Sequence, residues 1–324
     1  MRKATIYQFS LPIVAGIILR KQQLKTRDGF LIHLQENESE GWGEISPLPN
    51  FSVETLEMAR GLLQADLYDW CQGTTLKECH IPSVAFGLSC AHAELRAELP
   101  EITYYPKAIL CTGDLDALIL QLNSVDSEKV AKVKVGIYES VRDGMVVNFL
   151  LDSVPSLRLR LDANQSWNQS KAADFAGYIK PDNRSRIDFI EEPCKTMHDS
   201  LAFTKQTGIA IAWDESVRDP GFQLKKQHGV SAIIIKPTLL GSLNLCKQLI
   251  DEARSFGLDA VISSTLESSF GLTQLARIAR WLIPETVPGL DTLNLFKTQL
   301  IRQWPKSSLS VMKLNQLKLI WQNE

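Results

Sequence analysis

Long hydrophobic runs are missing from this sequence: no stretch reaches the length that crosses a bilayer, and Met1-Arg2-Lys3 leads into the mixed segment Ala4-Thr5-Ile6-Tyr7-Gln8 rather than a signal-peptide core. An excess of either charge is missing too. With 35 basic and 37 acidic residues the formal charge is -2, which leaves no electrostatic footprint for nucleic acid or a membrane surface. Cysteine occurs at six scattered positions (Cys71, Cys79, Cys90, Cys111, Cys194, Cys246) with no CxxC pair and no histidine at zinc-ligand spacing. Reduced structural thiols are expected. Glycine-rich phosphate turns of the GxGxxG or GxxxxGK type, solenoid repeats and low-complexity tracts are likewise missing. These absences point to a cytoplasmic protein whose partner is a small molecule. They leave the oligomeric state open, a monomer included.

What is present supports a large core, since 44% of the 324 residues are hydrophobic. The first hundred residues read as α+β. Strand-like Ala4–Phe9 precedes a loop over Leu11–Thr26, and Asp28-Gly29 is expected to turn the chain into Phe30–Leu34. The polar run Glu36–Glu40 turns it again into Gly41-Trp42-Gly43-Glu44. Ser52 is the expected N-cap of a helix running towards Trp70, and a second helix starts near Pro82 with Val84, Leu88, Ala91 and Leu95 on one face.

From about residue 105 short β-rich runs alternate with helical segments: Lys132–Val135, Leu157–Asp162, Ile187–Glu191, Ala210–Asp214, Ala232–Lys236 and Ala260–Ser264. That alternation is the mark of βα units on a parallel sheet, and without a phosphate turn a closed barrel is favoured over an open doubly wound sheet. The expected division is an α+β capping domain over 1–104, a barrel over 105–299, and an apolar tail over 300–324 that packs back on the cap.

The polar residues fall at telling places in these runs. Alternation puts Lys132 and Lys134 on one face of their strand and the valines on the other, and in the next strand Arg158, Arg160 and Asp162 share the face opposite the leucines. The following strands end in Glu191, Asp214 and Lys236. Active sites of such barrels lie at the C-terminal ends of the strands, so all five groups (Lys134, Asp162, Glu191, Asp214, Lys236) converge. Singly, each has a plainer reading: a KxK pair suits a solvated edge, and an acidic residue at a strand end often caps a helix. Together they are hard to explain as stability, because gathered carboxylates repel and resist desolvation.

A divalent cation would resolve that conflict. Three carboxylates with open positions suit hard, octahedral Mg²⁺, whereas zinc calls for His or Cys that these strand ends lack. Such a centre can stabilise the enediolate formed when the proton α to a carboxylate leaves, with a lysine as base, expected to lie buried beside a second lysine.

These residues, with the Gly41-Trp42-Gly43-Glu44 phrase, resemble the enolase superfamily, in which a Lys or His base works with Mg²⁺ on an enediolate. Longer phrases (Leu24–Gly29, Gly41–Pro49, Lys129–Gly136, Ile190–Lys195, Ile262–Ser264 with Glu267-Ser268) resemble the enterobacterial type of o-succinylbenzoate synthase family over nearly the whole chain. The resemblance implies a modified (β/α)7β TIM-type barrel with an N-terminal α+β cap, and the dehydration of 2-succinyl-6-hydroxy-2,4-cyclohexadiene-1-carboxylate to 2-succinylbenzoate in menaquinone biosynthesis. It implies Mg²⁺, with Mn²⁺ as a substitute, on Asp162, Glu191 and Asp214. Lys134 is implied as the base and Lys236 as the charge that stabilises the enediolate. Lys132 would act on Lys134 and the substrate carboxylate, Arg160, Ser263 and Ser264 would meet the succinyl end, and Gly289 would lie in the last barrel loop. Arg27 and the loop before it would close over substrate. Two alternatives stand: an N-succinylamino acid racemase or dipeptide epimerase of the same superfamily, and a barrel that binds a ligand without chemistry.

Overall fold

The structure is a computed structural model that describes all residues except 15–17, 20–21, 77–78 and 324. Near the N-terminus, strands Arg2–Pro12, Thr26–Glu36 and Ser39–Ile45 form an antiparallel sheet, which the C-terminal strand Lys318–Asn323 extends on its outer edge. Ala4, Ile6, Phe30, Ile32 and Leu34 face the helices Leu56–Cys71 and Pro82–Leu95, and Phe9, Leu11 and Leu31 face Leu239, Phe270 and Phe296 of the other body. Both faces are covered. That is why Phe30-Leu31-Ile32 reads as a continuous apolar run.

Two local expectations are corrected here. Asp28-Gly29 is no turn, because Thr26–Glu36 is one unbroken strand paired along its length with Arg2–Pro12. Gly29 serves close packing instead: a Cβ there would lie 2.5 Å from the Phe9 ring. The reversal falls at Asn37, whose φ of 57° suits a tight hairpin. Nor does Ser52 cap the first helix. Thr55 does, accepting from Met58 N at 3.2 Å, while Ser52 Oγ takes Leu48 N.

The second body is built on a parallel sheet whose strands lie side by side in chain order. They are Ile109–Cys111, Val130–Lys134, Arg158–Asp162, Ile187–Glu191, Ile211–Trp213, Val230–Ile235 and Asp259–Ile262, hereafter the first to the seventh barrel strands. The first of them is not legible in the sequence, because three residues are too few to show a period. Leucines and isoleucines of the outer face pack on surrounding helices, and Phe189, Ala212, Ala232, Ile234 and Val261 fill the interior. The barrel closes through Pro288-Gly289: Gly289 N donates to Ile262 O (2.9 Å), Ser264 N to Gly289 O (2.9 Å) and Ala108 N to Pro288 O (2.8 Å). This segment is the eighth stave, and it makes the sheet a capped TIM-type barrel.

Two buried carboxylates from the N-terminal region fasten the two bodies together. Glu44 accepts from Ser268 N (3.0 Å) and Gly271 N (3.0 Å), capping the helix Ser269–Leu282 from across the junction. Glu94 accepts from Arg302 (2.6 and 2.7 Å), Arg277 (2.8 Å) and Gln274 (2.9 Å). The glycines of Gly41-Trp42-Gly43-Glu44 let this strand lie directly on the helix Pro82–Leu95, since a Cβ on Gly43 would sit 2.0 Å from Gly87 O and one on Gly41 2.0 Å from Ala91 O. Replacing Glu44 by Ala would strand two buried N–H donors, each worth roughly 1–3 kcal/mol when unsatisfied. Urea unfolding should show Glu44→Ala destabilised by about 3 kcal/mol; an unchanged midpoint would contradict this account of the junction.

Candidate active site

At the C-terminal end of the barrel the second to sixth strands bring their last side chains together. Register pairs Lys134 with Asp162 and Asp162 with Glu191, so these Cα atoms are lateral neighbours, and Asp214 and Lys236 directly follow the next two strands. Asp162, Glu191 and Asp214 are 7%, 3% and 1% exposed, a burial that no set of carboxylates would tolerate uncompensated.

Two ammonium groups compensate. Lys132 Nζ lies 2.8 Å from Asp162 Oδ2 and 2.6 Å from Glu191 Oε2, and Lys236 Nζ lies 2.5 Å from Asp214 Oδ2. Burial disfavours charge on Lys132, but Asp162, Glu191 and Asp214 outweigh it and hold the group well above the usual lysine range. Lys236 is held up in the same way, chiefly by Asp214 against the cost of burial. Burial, together with Asp162 and Asp214, pushes Glu191 up to about 8 despite Lys132 beside it. Asp162 goes the other way: burial opposes its charge, but Lys132 and Lys236 hold it below the usual range.

Lys134 differs from both. Contrary to the expectation of burial, its side chain is exposed at the strand end, and among the described residues it has no hydrogen-bonded or ion-paired partner. The sheet order places it on the second stave and Lys236 on the sixth, half-way round an eight-stave barrel. The three carboxylates occupy the staves between them.

The remaining sequence-predicted residues lie around this arc with protein partners of their own. Arg160 is buried one layer below Asp162, its Nη1 on Val287 O (2.5 Å) and its Nε on Asp188 (3.3 Å). Ser263 pairs with Gly289 in the barrel closure, and Ser264 Oγ meets Thr292 Oγ1 at 2.9 Å. Gly289 packs against Ser263, whose Oγ would stand 2.9 Å from a Cβ added there. Arg27 does not stand over the site as a lid group: it is 1% exposed and donates to Leu266 O (2.9 Å), Pro47 O (2.7 Å) and Ser46 O. Of the loop before it, Gly16 lies outside the described residues, and Ile18–Leu19 pairs with Gln22–Gln23.

Glu192 is a residue that the sequence pattern alone does not single out. It is 2% exposed and directly follows the last residue of the fourth barrel strand. A second acidic residue directly after a buried strand end was the available signal.

A divalent cation fits the chemistry of this donor set, which is all hard oxygen and includes Asp214 Oδ1, buried with no hydrogen-bond partner. As they stand, no three acidic, His or Cys side chains among the described residues converge enough to enclose one. Ammonium groups bridge the carboxylates instead. Removing one partner from a buried ion pair costs roughly 3–5 kcal/mol, and Lys132 keeps 18% of its side chain exposed. Lys132→Met should therefore destabilise the metal-free protein by about 3 kcal/mol in urea, and a midpoint equal to wild type would show that Lys132 does not compensate the cluster.

Comparison with known proteins agrees over the whole chain. Residues 1–95 match the family model described as "MenC, N-terminal domain", and residues 120–305 match "Enolase C-terminal domain-like". The chain is 61% identical to the o-succinylbenzoate synthase of Photorhabdus laumondii subsp. laumondii, covering 100% of both chains. It is 59% identical to that of Proteus mirabilis, over 99% of this chain and 100% of that one. Among solved structures, o-succinylbenzoate synthase from Thermosynechococcus elongatus BP-1, complexed with Mg, superimposes with TM-score 0.72 at 22% identity, covering 92% of this chain and 95% of that one. The L-Ala-D/L-Glu epimerase from Bacillus subtilis gives 0.73 at 19% identity, over 91% of each. The last two speak for the fold alone; the full-length identities decide the family, and the chain belongs to the o-succinylbenzoate synthases of the enolase superfamily.

Proposed function

We propose that this chain is a Mg²⁺-dependent carbon–oxygen lyase that converts 2-succinyl-6-hydroxy-2,4-cyclohexadiene-1-carboxylate to 2-succinylbenzoate and water, a step of menaquinone biosynthesis. The observation that carries the mechanism is the opposition of Lys134 and Lys236 across an arc of three carboxylates. Asp162, Glu191 and Asp214 would hold the metal, and the lysine contacts they now make would have to loosen as it enters. When bound, Mg²⁺, or Mn²⁺ in its place, supplies Lewis-acid stabilisation of the charge that grows on the substrate carboxylate.

Lys134 suits the base. Its amine is open to solvent and substrate rather than tied to a carboxylate, so it can take the ring proton α to the carboxylate. The electron pair of that C–H bond becomes the enediolate and then the new ring double bond as the neighbouring hydroxyl departs. The ammonium just formed on Lys134 can return the proton to that hydroxyl, which leaves as water. Lys236 suits the opposite role. Facing Lys134 from across the barrel, it would stabilise the planar anion by charge and cation–π attraction.

The racemase or epimerase reading would need a proton donor and acceptor on each face. Both substrates should be assayed side by side, with the dehydration followed by ultraviolet absorbance of the aromatic product. Chelation should abolish dehydration and added Mg²⁺ restore it. Lys134→Ala and Lys134→Arg should each lose about 10²- to 10⁴-fold in kcat, because a guanidinium cannot accept a proton at neutral pH. Lys236→Arg should keep measurable activity where Lys236→Ala loses most of it. Near-normal rates in Lys134→Arg with a dead Lys236→Arg would reverse the two roles, and full activity without metal would overturn the mechanism.

A further inference from the structure

Glu192 follows the Glu191 carboxylate directly, and its own side chain reaches two neighbouring loops. Its Oε1 accepts from the backbone N–H of Asp214 (2.9 Å) and of Ser216 (2.8 Å), on the loop that begins with the third carboxylate. Its Oε2 accepts from the side-chain amide of Gln165, and its carbonyl oxygen accepts Gln165 N at 2.9 Å, on the loop that follows Asp162. One buried residue thus ties together the ends of the three strands that carry Asp162, Glu191 and Asp214.

The backbone here needs such a tie. Asn164, Gln165 and Glu192 have φ of 44°, 55° and 30°, a left-handed region in which non-glycine residues are held only by their surroundings. Asp214, with φ −124° and ψ −78°, also departs from the regular strand. A buried carboxylate is costly unless its oxygens find donors, and both oxygens of Glu192 do.

We infer that Glu192 is a positioning residue: by the reach of its carboxylate to the Asp214 and Ser216 amides and to Gln165, it sets the spacing of the three oxygen donors of the proposed metal site. The inference rests on the functional reading above. It separates reach from charge, because a glutamine keeps the length and can still accept both backbone N–H groups, with Gln165 rotating its amide to match, while an aspartate keeps the charge but falls one methylene short. Partners of this kind, which orient ligands without touching the metal, typically change metal affinity by about 10- to 100-fold.

The test is calorimetric titration of Mg²⁺ alone into the chelator-stripped full chain, for wild type, Glu192→Gln, Glu192→Asp and Glu192→Ala, with the thermal midpoint of each recorded. Glu192→Asp and Glu192→Ala should bind Mg²⁺ about 10- to 100-fold more weakly, and Glu192→Gln should recover most of the loss. Glu192→Asp serves as the deciding variant where Glu192→Ala does not fold. Wild-type affinity in Glu192→Asp, or a loss in Glu192→Gln as deep as in Glu192→Asp, overturns the positioning role, whatever the midpoints do. Wild-type protein that takes up no Mg²⁺ overturns the functional reading itself, which keeps the two failures apart.

Discussion

Three carboxylates share the mouth of a barrel with almost no access to water, and the rest of the site is arranged around the need to neutralise them. Lys132 and Lys236 meet that need through short contacts with all three. The cost is visible in Glu191, which burial and its acidic neighbours push up to about 8. A centre poised in this way is less stable than an apolar core of the same volume would be, and a bound cation would relieve it. Stability and chemistry therefore draw on the same few atoms.

The same constraint sets the two opposed lysines apart. Lys236 is committed to Asp214, which fixes its charge, whereas Lys134 has no such commitment and stands exposed at its strand end. Identical side chains on staves two and six are thus made chemically unlike by what lies beside them.

Around the site, precision comes from carboxylates that take no part in it. Glu44 and Glu94 fasten the N-terminal body to the barrel by accepting from the start of the Ser269–Leu282 helix and from Arg277 and Arg302. Arg27, buried among carbonyl oxygens from both sides of the junction, works in the same sense. The N-terminal residues that read in the sequence as a mobile cover include this fixed pin.

The sequence by itself determined the βα alternation, its run of strands from Val130 to Ile262 and the five groups at their ends, because alternation along a strand and a charge closing an apolar run are local properties of the chain. It also carried the family, through phrases spread over its whole length. Other features were decided only by tertiary structure. Thr55 rather than Ser52 caps the first helix, Asp28-Gly29 continues a strand, Pro288-Gly289 closes the barrel, and Lys132 bonds to two carboxylates. Most of these depend on a partner far away in the chain: Phe9 against Gly29, Ile262 and Ala108 on either side of the closing segment, Glu191 for Lys132. A hydrogen bond or ion pair between residues tens or hundreds of positions apart leaves no period and no spacing in the sequence; it exists only once the sheet has brought the strand ends within a few ångströms of one another.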